Sequence, residues 1–196
     1  MTASAARLLV AGVGNIFLGD DAFGPEVIRA LGERPLPDGV LVRDFGIRGM
    51  DLAYTLLDGY DTAVLVDAAA RGHAPGTLSL IEAEPPDGTA VPEAHGMDPE
   101  KVLALAAHLG DEPLPRVLVL ACEPGLLPSG DEDVLPGPGP AVREAVGRAV
   151  DALHTLVPVL LADPAAPAPP LGRPVESGAP RAAALHGAVP GAAQDR

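Results

Sequence analysis

Residues 7–25 read RLLVAGVGNIFLGDDAFGP, and this stretch decides the fold of the chain. Leu8 to Val13 form an apolar run that is too short to span a membrane and is typical of a buried strand. The run breaks at Gly12-Val13-Gly14-Asn15, where the glycines permit a tight turn and the close approach of other groups. The first element predicted from the sequence is therefore a strand that ends in a glycine turn.

A pair of carboxylates and a helix follow this turn. The carboxylates are Asp20 and Asp21, and behind them Phe23, Val27 and Leu31 recur at helical spacing. This order of elements, a strand followed by a glycine turn, an acidic loop and a helix, is typical of a parallel α/β unit. It places the two carboxylates at the carboxyl end of a parallel strand. Open α/β sheets bind their ligands at that edge.

The chain is strongly acidic and contains one cysteine. Its 196 residues are enough for a single domain with a sizeable core. Lys and Arg number 13 against 27 Asp and Glu, which gives a formal net charge of −14. Such a surface repels phosphate backbones, so the charge disfavours nucleic acid as a partner and favours cations, metal sites or basic peptides. The single cysteine, Cys122, excludes an internal disulfide and a multi-cysteine zinc site.

The two ends of the sequence carry separate signals. The opening MTASAARLLVAGVGN has too short an apolar core for a signal peptide, which predicts a cytoplasmic protein with no membrane partner. From residue 162 to residue 196 the chain is mostly Ala, Pro and Gly, and large apolar side chains are almost absent. Such a segment cannot offset its ordering entropy by burial. We therefore predict a folded domain over residues 1–161 and a disordered tail over residues 162–196.

Strands alternate with helices along the middle of the chain. The wholly apolar strand at 62–66 is expected where both faces of a sheet are covered. The alternation predicts an α/β fold, namely a three-layer αβα sandwich around a twisted, mostly parallel sheet of about five strands. Beyond the first strand and helix, the predicted strands are Val40–Phe45, Thr62–Val66, Thr77–Ile81 and Arg116–Ala121, and the predicted helices are Met50–Asp58, Pro99–Leu109 and Ala141–Val157.

Acidic side chains and one histidine are candidates for a single site at the carboxyl edge of this sheet. In a flavodoxin-type strand order the first and third strands are neighbours, about 4.8 Å apart. The pair Asp20 and Asp21 would then converge with Asp67, at the end of the third strand. Two carboxylates that lie so close raise each other's pKa unless a cation lies between them. His95, on a long Pro/Gly loop, could complete an O,O,N ligand set that suits borderline divalent metals such as Zn or Ni.

Each candidate also has a plain structural interpretation. Asp20 or Asp21 could cap the helix that follows. Asp67 could accept hydrogen bonds from loop amides, and His95, taken alone, is typical of a solvated loop histidine. The remaining histidines are weaker candidates because they fit helix faces, loops or the tail: His73, His108, His154 and His186.

Two other chemistries find little support in the sequence. Cys122 ends a buried strand, which predicts a core residue, and no neighbouring base is evident that would activate its thiol. Gly12 and Gly14 begin a G-x-G pattern, but position 17 is Phe, so the dinucleotide-binding fingerprint is incomplete.

The order of motifs along residues 7–157 resembles that of the hydrogenase maturation endopeptidases. The opening GVGNIFLGDDAFGPEV, residues 12–27, is similar to the family's G-x-G-N motif with its hydrophobic stretch, acidic pair and nearby Gly. The opening motif is fairly specific, whereas the later motifs persuade only jointly. Those later motifs are DFGIRGMDL (44–52), LVDAA (65–69), APGTL (74–78), the loop histidine in EAHGM and the final GPGPAVREAV.

This resemblance implies a fold, an activity and a ligand set. Members of the family have an α/β sandwich and cleave a short C-terminal extension from the large subunit of nickel–iron hydrogenases after nickel insertion. Their metal-contacting residues are an acid in the opening motif, an acid ending the third strand and a loop histidine. These positions fall on Asp21, Asp67 and His95 in this sequence. The implied ion is nickel, carried by the substrate, and no organic cofactor is implied.

The leading hypothesis is thus a cytoplasmic, monomeric endopeptidase of the aspartic-type grouping that acts on a nickel–iron hydrogenase large-subunit precursor. Asp21 and Asp67 would be its catalytic carboxylates as well as metal ligands, together with His95. In the absence of a plausible nucleophile, hydrolysis would use water activated by a carboxylate or a metal. Two alternatives are open at this point. One is a non-catalytic module of the same fold that binds a metal centre or a peptide, and the other is a nucleotide-binding enzyme.

Overall fold

The computed structural model describes residues 7–84, 99–127 and 134–171 of the chain. Within these ranges the chain forms five strands, four α-helices and a short 3₁₀ helix, Gly19–Ala22. The strands are β1 (Leu8–Val13), β2 (Val40–Gly46), β3 (Thr62–Ala68), β4 (Leu78–Glu82) and β5 (Arg116–Cys122). The helices are α1 (Phe23–Leu31), α2 (Gly49–Leu56), α3 (Pro99–Leu109) and α4 (Pro140–Ala162).

The strands form one sheet in the order β2-β1-β3-β5-β4. β1, β2, β3 and β5 run parallel, and β4 pairs antiparallel with β5 at the edge. β1 lies between β2 and β3, so that Val10 is beside Val42 on one side and Val64 on the other. The structure therefore confirms a mostly parallel sheet of five strands, with the first and third strands as neighbours.

Helices cover both faces of the sheet, which confirms the predicted three-layer sandwich. Leu8 and Val10 of β1 enter the core that the sheet shares with α1 and α4. Leu9 and Ala11 enter the opposite core, shared with α2 and α3. Because successive side chains of a strand point to opposite faces, β1 needs an apolar residue at every position.

Helix α1 lies very close to the carboxyl ends of β1 and β3. A Cβ atom on Gly24 would overlap the carbonyl oxygens of Val13 and Val66, so only glycine fits there. The first turn of α1 therefore rests directly on the ends of two strands. This contact fixes the position of the acidic loop, which precedes α1, relative to β3.

Helix α4 is, among the described residues, the one helix long and apolar enough to cross a membrane on length and composition alone. It packs against α1 and the sheet, and its buried residues recur every three to four positions, as in a core helix. These buried residues are Val142, Ala145, Ala149, Val150, Leu153, Leu156, Val157 and Leu160.

The packed part of the chain extends beyond the boundary that the sequence predicts. A disordered tail is predicted from residue 162, but α4 continues to Ala162 and the chain that follows packs on the domain. Ala166 is buried, and Leu171 lies against the core shared by α1 and α4. Residues 162–171 thus pack on the domain, while residues 172–196 of the predicted tail lie outside the described residues, where the disordered tail stays a prediction.

An arginine at the start of β5 holds this additional segment. Arg116 Nη1 donates hydrogen bonds to Pro164 O at 2.9 Å and to Ala166 O at 2.7 Å. The same guanidinium makes a bidentate ion pair with Glu82, in which both N···O distances are 2.9 Å. Charge-assisted hydrogen bonds can order a segment that has few large apolar side chains, and composition alone does not reveal them.

Two glycine substitutions test the contact between α1 and the strand ends. Gly24→Ala should lower the free energy of unfolding by about 1–3 kcal/mol or more, because the new methyl group meets backbone that cannot move aside. Gly147→Ala, on an open face of α4, should raise it by about 0.5–1 kcal/mol through helix propensity. Urea denaturation of both variants measures the difference, and similar stability of the two would contradict the contact.

Candidate functional site

Asp21 lies in the 3₁₀ helix, and the glycine turn folds back over it. Asp21 Oδ2 accepts a hydrogen bond from the backbone N–H of Asn15 at 2.7 Å. A Cβ atom on Gly14, which has φ +132°, would overlap the carbonyl oxygen of Asp21. The turn therefore requires glycine at this position. In the fold, the turn brings the backbone N–H of Asn15 to the carboxylate of Asp21.

Asp67 lies near the carboxyl end of β3. The sequence predicts a strand that ends at Val66, so that Asp67 would follow it. The strand instead continues to Ala68, and Asp67 is part of it. The Asp67 side chain is buried, and its Oδ1 accepts a hydrogen bond from the backbone N–H of Ala68 at 2.8 Å. The sheet thus holds this carboxylate on a rigid element, opposite Ala121 of β5.

Asp21 and Asp67 belong to the same edge of the sheet. The 3₁₀ helix that carries Asp21 contacts β3. Gly24 follows that helix and lies against the carbonyl oxygen of Val66, the residue just before Asp67. The topology therefore brings to one edge the two acids that the sequence analysis selected.

The third predicted ligand, His95, lies outside the described residues. Within residues 7–84, 99–127 and 134–171, no group of three or more His, Cys, Asp or Glu side chains is placed to hold a metal ion. The metal site formed by Asp21, Asp67 and His95 therefore stays a prediction.

The electrostatic environment of Asp21 disfavours its charged form. Partial burial raises the pKa of this carboxyl group above its usual value, and the hydrogen bond from the Asn15 N–H offsets part of the rise. A nearby cation acts in the opposite direction, because it favours the ionised carboxylate. Perturbed carboxyl groups of this kind are concentrated at functional sites.

Asp20 does not cap α1, which was the structural interpretation that the sequence offered for it. The N-cap residue of α1 is Ala22, and it makes no side-chain capping hydrogen bond. Asp20 is buried and accepts three backbone hydrogen bonds, from Gly125 (2.7 Å) and Leu126 (2.6 Å) at Oδ2 and from Gly139 (2.7 Å) at Oδ1. One carboxylate thereby joins the acidic loop to the segment after β5 and to the start of α4.

Glu123 is a third buried acid at this edge, after Asp67 and Asp20, and the sequence patterns did not single it out. Burial opposes its ionisation, but hydrogen bonds from the backbone N–H groups of Arg71, His73 and Gly72 outweigh this effect, so the pKa of Glu123 lies below its usual value. The bonds from Arg71 and Gly72 measure 2.8 Å and 3.1 Å. Its position directly after a run of apolar residues, which Asp67 shares, was the signal that could have identified it.

The only cysteine is a core residue, as the sequence predicts. Cys122 is fully buried, and burial raises the pKa of its thiol to about 12. Such a thiol is not a nucleophile near neutral pH.

A cavity of about 590 Å³ lies between α3 and the β4–β5 edge. Among the described residues its lining includes Glu82, Leu103, Leu114 and Arg116, but neither Asp21 nor Asp67. We therefore place the candidate site at the carboxyl edge of the sheet, where the acids are, and not in this cavity.

A comparison with protein families decides the assignment. The family model described as hydrogenase maturation protease matches residues 25–155. The chain belongs to the hydrogenase maturation protease family. This confirms the resemblance seen in the sequence and makes the chain an endopeptidase, which hydrolyses peptide bonds. The residues matched include α1 from its third residue, all of the sheet except β1, and most of α4.

Relatives and solved structures agree with this assignment. The protease is 32% identical to the hydrogenase expression/formation protein HupM of Azotobacter chroococcum mcd 1, over 94% of this chain and 86% of the relative. The hydrogenase maturating endopeptidase HybD from E. coli matches with a TM-score of 0.60 and 28% identity, covering 80% of this chain and 94% of that one. A hydrogenase 2 maturation peptidase from Thaumarchaeota archaeon SCGC_AB-539-E09 matches with a TM-score of 0.58 and 33% identity, over 79% and 99% of the two chains.

The hydrogen bonds of Asp20 predict a large stability effect in the protease. Asp20→Ala leaves three backbone N–H groups without their acceptor and should lower the free energy of unfolding by about 2–4 kcal/mol. Asp151→Ala, which removes one exposed ion pair with Arg34, should cost less than about 1 kcal/mol. Denaturant unfolding compares the two variants, and an equally small loss in both would show that Asp20 does not join these segments.

The raised pKa of Asp21 predicts a pH-dependent gain in stability for Asp21→Asn in metal-free protein. Asn keeps an acceptor for the Asn15 N–H but carries no charge. Below the unfolded pKa the wild-type acid is neutral in both states, so the two proteins should differ little. As the pH rises through the folded pKa, the wild type loses stability, and the variant should melt at a higher temperature than the wild type at pH 7. Thermal melts of both proteins at pH 3.5 and pH 7 test this. A Tm difference, variant minus wild type, that is smaller at pH 7 than at pH 3.5 would contradict the prediction.

Proposed function

We propose that this protease removes the C-terminal extension from the large subunit of a nickel–iron hydrogenase after nickel has been inserted. Family membership supports the reaction class, and the names of the relatives associate them with hydrogenase formation. The observation that carries the proposal furthest is the contact of the 3₁₀ helix bearing Asp21 with β3, which bears Asp67.

In this proposal Asp21, Asp67 and His95 bind the nickel that the precursor already contains. Two carboxylates and an imidazole form an O,O,N set that suits a borderline divalent ion and leaves positions open for the substrate's own ligands. Recognition of the ion would act as a checkpoint, because a precursor without nickel would not present this contact. The ion belongs to the substrate, and the chain's contribution is to position the ligands.

Hydrolysis in this proposal uses water and not a side-chain nucleophile. The buried, high-pKa thiol of Cys122 cannot supply one. A carboxylate at the sheet edge can take a proton from a water molecule and direct the resulting nucleophile to the peptide carbonyl. A bound divalent ion would lower the pKa of that water and so make its proton easier to remove. Asp21, whose pKa is raised by partial burial, is a candidate for this proton acceptor.

The cellular setting of the proposal follows the sequence analysis. We propose a cytoplasmic protease that acts as a monomer on its precursor, without an organic cofactor and without nucleic acid or membrane as a partner. The acidic surface, with a formal net charge of −14, supports the part of this proposal that concerns nucleic acid.

Substitution of the three proposed ligands tests the function. With nickel-loaded precursor, Asp21→Asn, Asp67→Asn and His95→Ala should each slow processing by about 100-fold or more, because each removes a ligand or a proton acceptor. Asp38→Asn and His108→Ala change exposed residues of the same types and should process at the wild-type rate.

Mass spectrometry of the precursor's C-terminus gives the measurement. Wild-type processing by all three ligand variants would overturn the proposed nickel site. A precursor that binds the wild-type protein but keeps its C-terminus would indicate a binding module of the same fold.

A further inference from the structure

Large apolar side chains are exposed beside the candidate site. We call five of them the apolar rim: Ile16 and Phe17 before the 3₁₀ helix, Leu126 and Leu127 after β5, and Val134 before α4. Their exposed fractions are 49% for Ile16, 56% for Phe17, 47% for Leu126, 48% for Leu127 and 67% for Val134. Contiguous exposed apolar surface on a soluble domain is typical of a site that binds another protein.

Backbone hydrogen bonds hold the segments of the rim side by side. The N–H of Leu135 donates to Phe17 O at 2.9 Å, and the N–H of Gly19 donates to Leu135 O at 2.7 Å. The N–H of Asp20 donates to Leu126 O at 3.0 Å. Residues that are more than a hundred positions apart in the chain thus form one surface.

The position of the rim relative to the proposed ligands is also fixed. The Asn15 side chain accepts a hydrogen bond from the backbone N–H of Phe17 at 3.0 Å, and the Asn15 N–H donates to Asp21. From the other side, the buried carboxylate of Asp20 accepts from the N–H groups of Gly125 and Leu126. The exposed side chains therefore belong to an ordered surface that adjoins Asp21.

The five side chains of the rim carry no charge, and acidic residues flank them in the sequence. Residues 16–19, 124–127 and 134–139 contain no charged side chain, but Asp20 and Asp21 directly follow the first range and the acidic residues 131–133 directly precede the last. An apolar area of this kind gains free energy by burial against apolar surface, roughly in proportion to the area removed from water. Its chemistry therefore fits an apolar face of a partner protein.

We propose that the apolar rim is the surface on which the hydrogenase large-subunit precursor docks, with its apolar contacts placed next to the scissile segment. This inference rests on the proposed function and deepens it, since it names where the body of the substrate is held. The rim is continuous with the edge that carries Asp21, so one precursor can contact both. Docking here places the bound precursor beside Asp21.

Two rim variants and two matched controls test the docking surface. Phe17→Ser and Val134→Ser each remove an exposed apolar side chain and should raise the KM for nickel-loaded precursor about 10-fold, with kcat within about twofold of wild type. Leu41→Ser and Val159→Ser remove apolar side chains of 41% and 40% exposure that lie on β2 and near the end of α4. Both controls should leave KM unchanged, and thermal melts of all four variants identify any that are misfolded.

Each result supports or overturns the inference. An unchanged KM in both folded rim variants, or an equal rise in the controls, would overturn it. So would a wild-type dimer that the rim variants convert to a monomer without a change in KM, because the rim would then bind a second copy of the chain. Direct binding of the precursor separates this inference from the proposed function: if the wild type binds without cutting and Phe17→Ser loses that binding, the docking surface stands and the proposed reaction fails.

Discussion

The close contact of the α1 backbone with the ends of β1 and β3 is the constraint on which the carboxyl edge depends. Because Gly24 lies directly on the carbonyl oxygens of Val13 and Val66, α1 starts above the junction of the two central strands. The residues between Val13 and the start of α1 must therefore cross that same edge of the sheet. The loop that makes this crossing carries Asn15, two residues of the apolar rim (Ile16 and Phe17) and the acidic pair, so one backbone contact positions all of these.

Carboxylates at this edge perform different tasks because their surroundings differ. Asp20 and Glu123 accept several backbone N–H bonds and hold loops in place. Backbone N–H groups lower the pKa of Glu123, whereas burial raises that of Asp21. The same chemical group is thus tuned in opposite directions within one small region, according to how many backbone donors surround it. Because Asp20 and Glu123 make the hydrogen bonds that hold the loops, other carboxylates at this edge can serve in ligand binding.

Much of the fold could be predicted from the sequence because it rests on local patterns. β1 and α3 have the predicted bounds, since an unbroken apolar run and a helical repeat mark them clearly. The general rules of doubly wound sheets predict that the first and third strands are adjacent, and this adjacency brings Asp21 and Asp67 to one edge. These inferences need only periodicity and topology.

The features that the sequence analysis missed depend on partners far away in the chain. Asp20 bonds N–H groups 105, 106 and 119 residues later, so its local position before a helix suggested a cap instead. The packing of residues 163–171 on the domain depends on Arg116, whose guanidinium group donates hydrogen bonds to two of their backbone carbonyl oxygens. No local pattern encodes such pairings, because they exist only once the sheet has formed.

The burial of Cys122 has a practical consequence for spectroscopy. Burial raises the pKa of the thiol to about 12, which disfavours the reactive thiolate at pH 7, and the fully buried sulfur is out of reach of reagents while the chain is folded. A second cysteine placed on the surface would therefore react alone with a fluorophore or a spin label. The native sequence thus offers a background without competing thiol reactivity, in which the approach of a partner can be followed from a single chosen position.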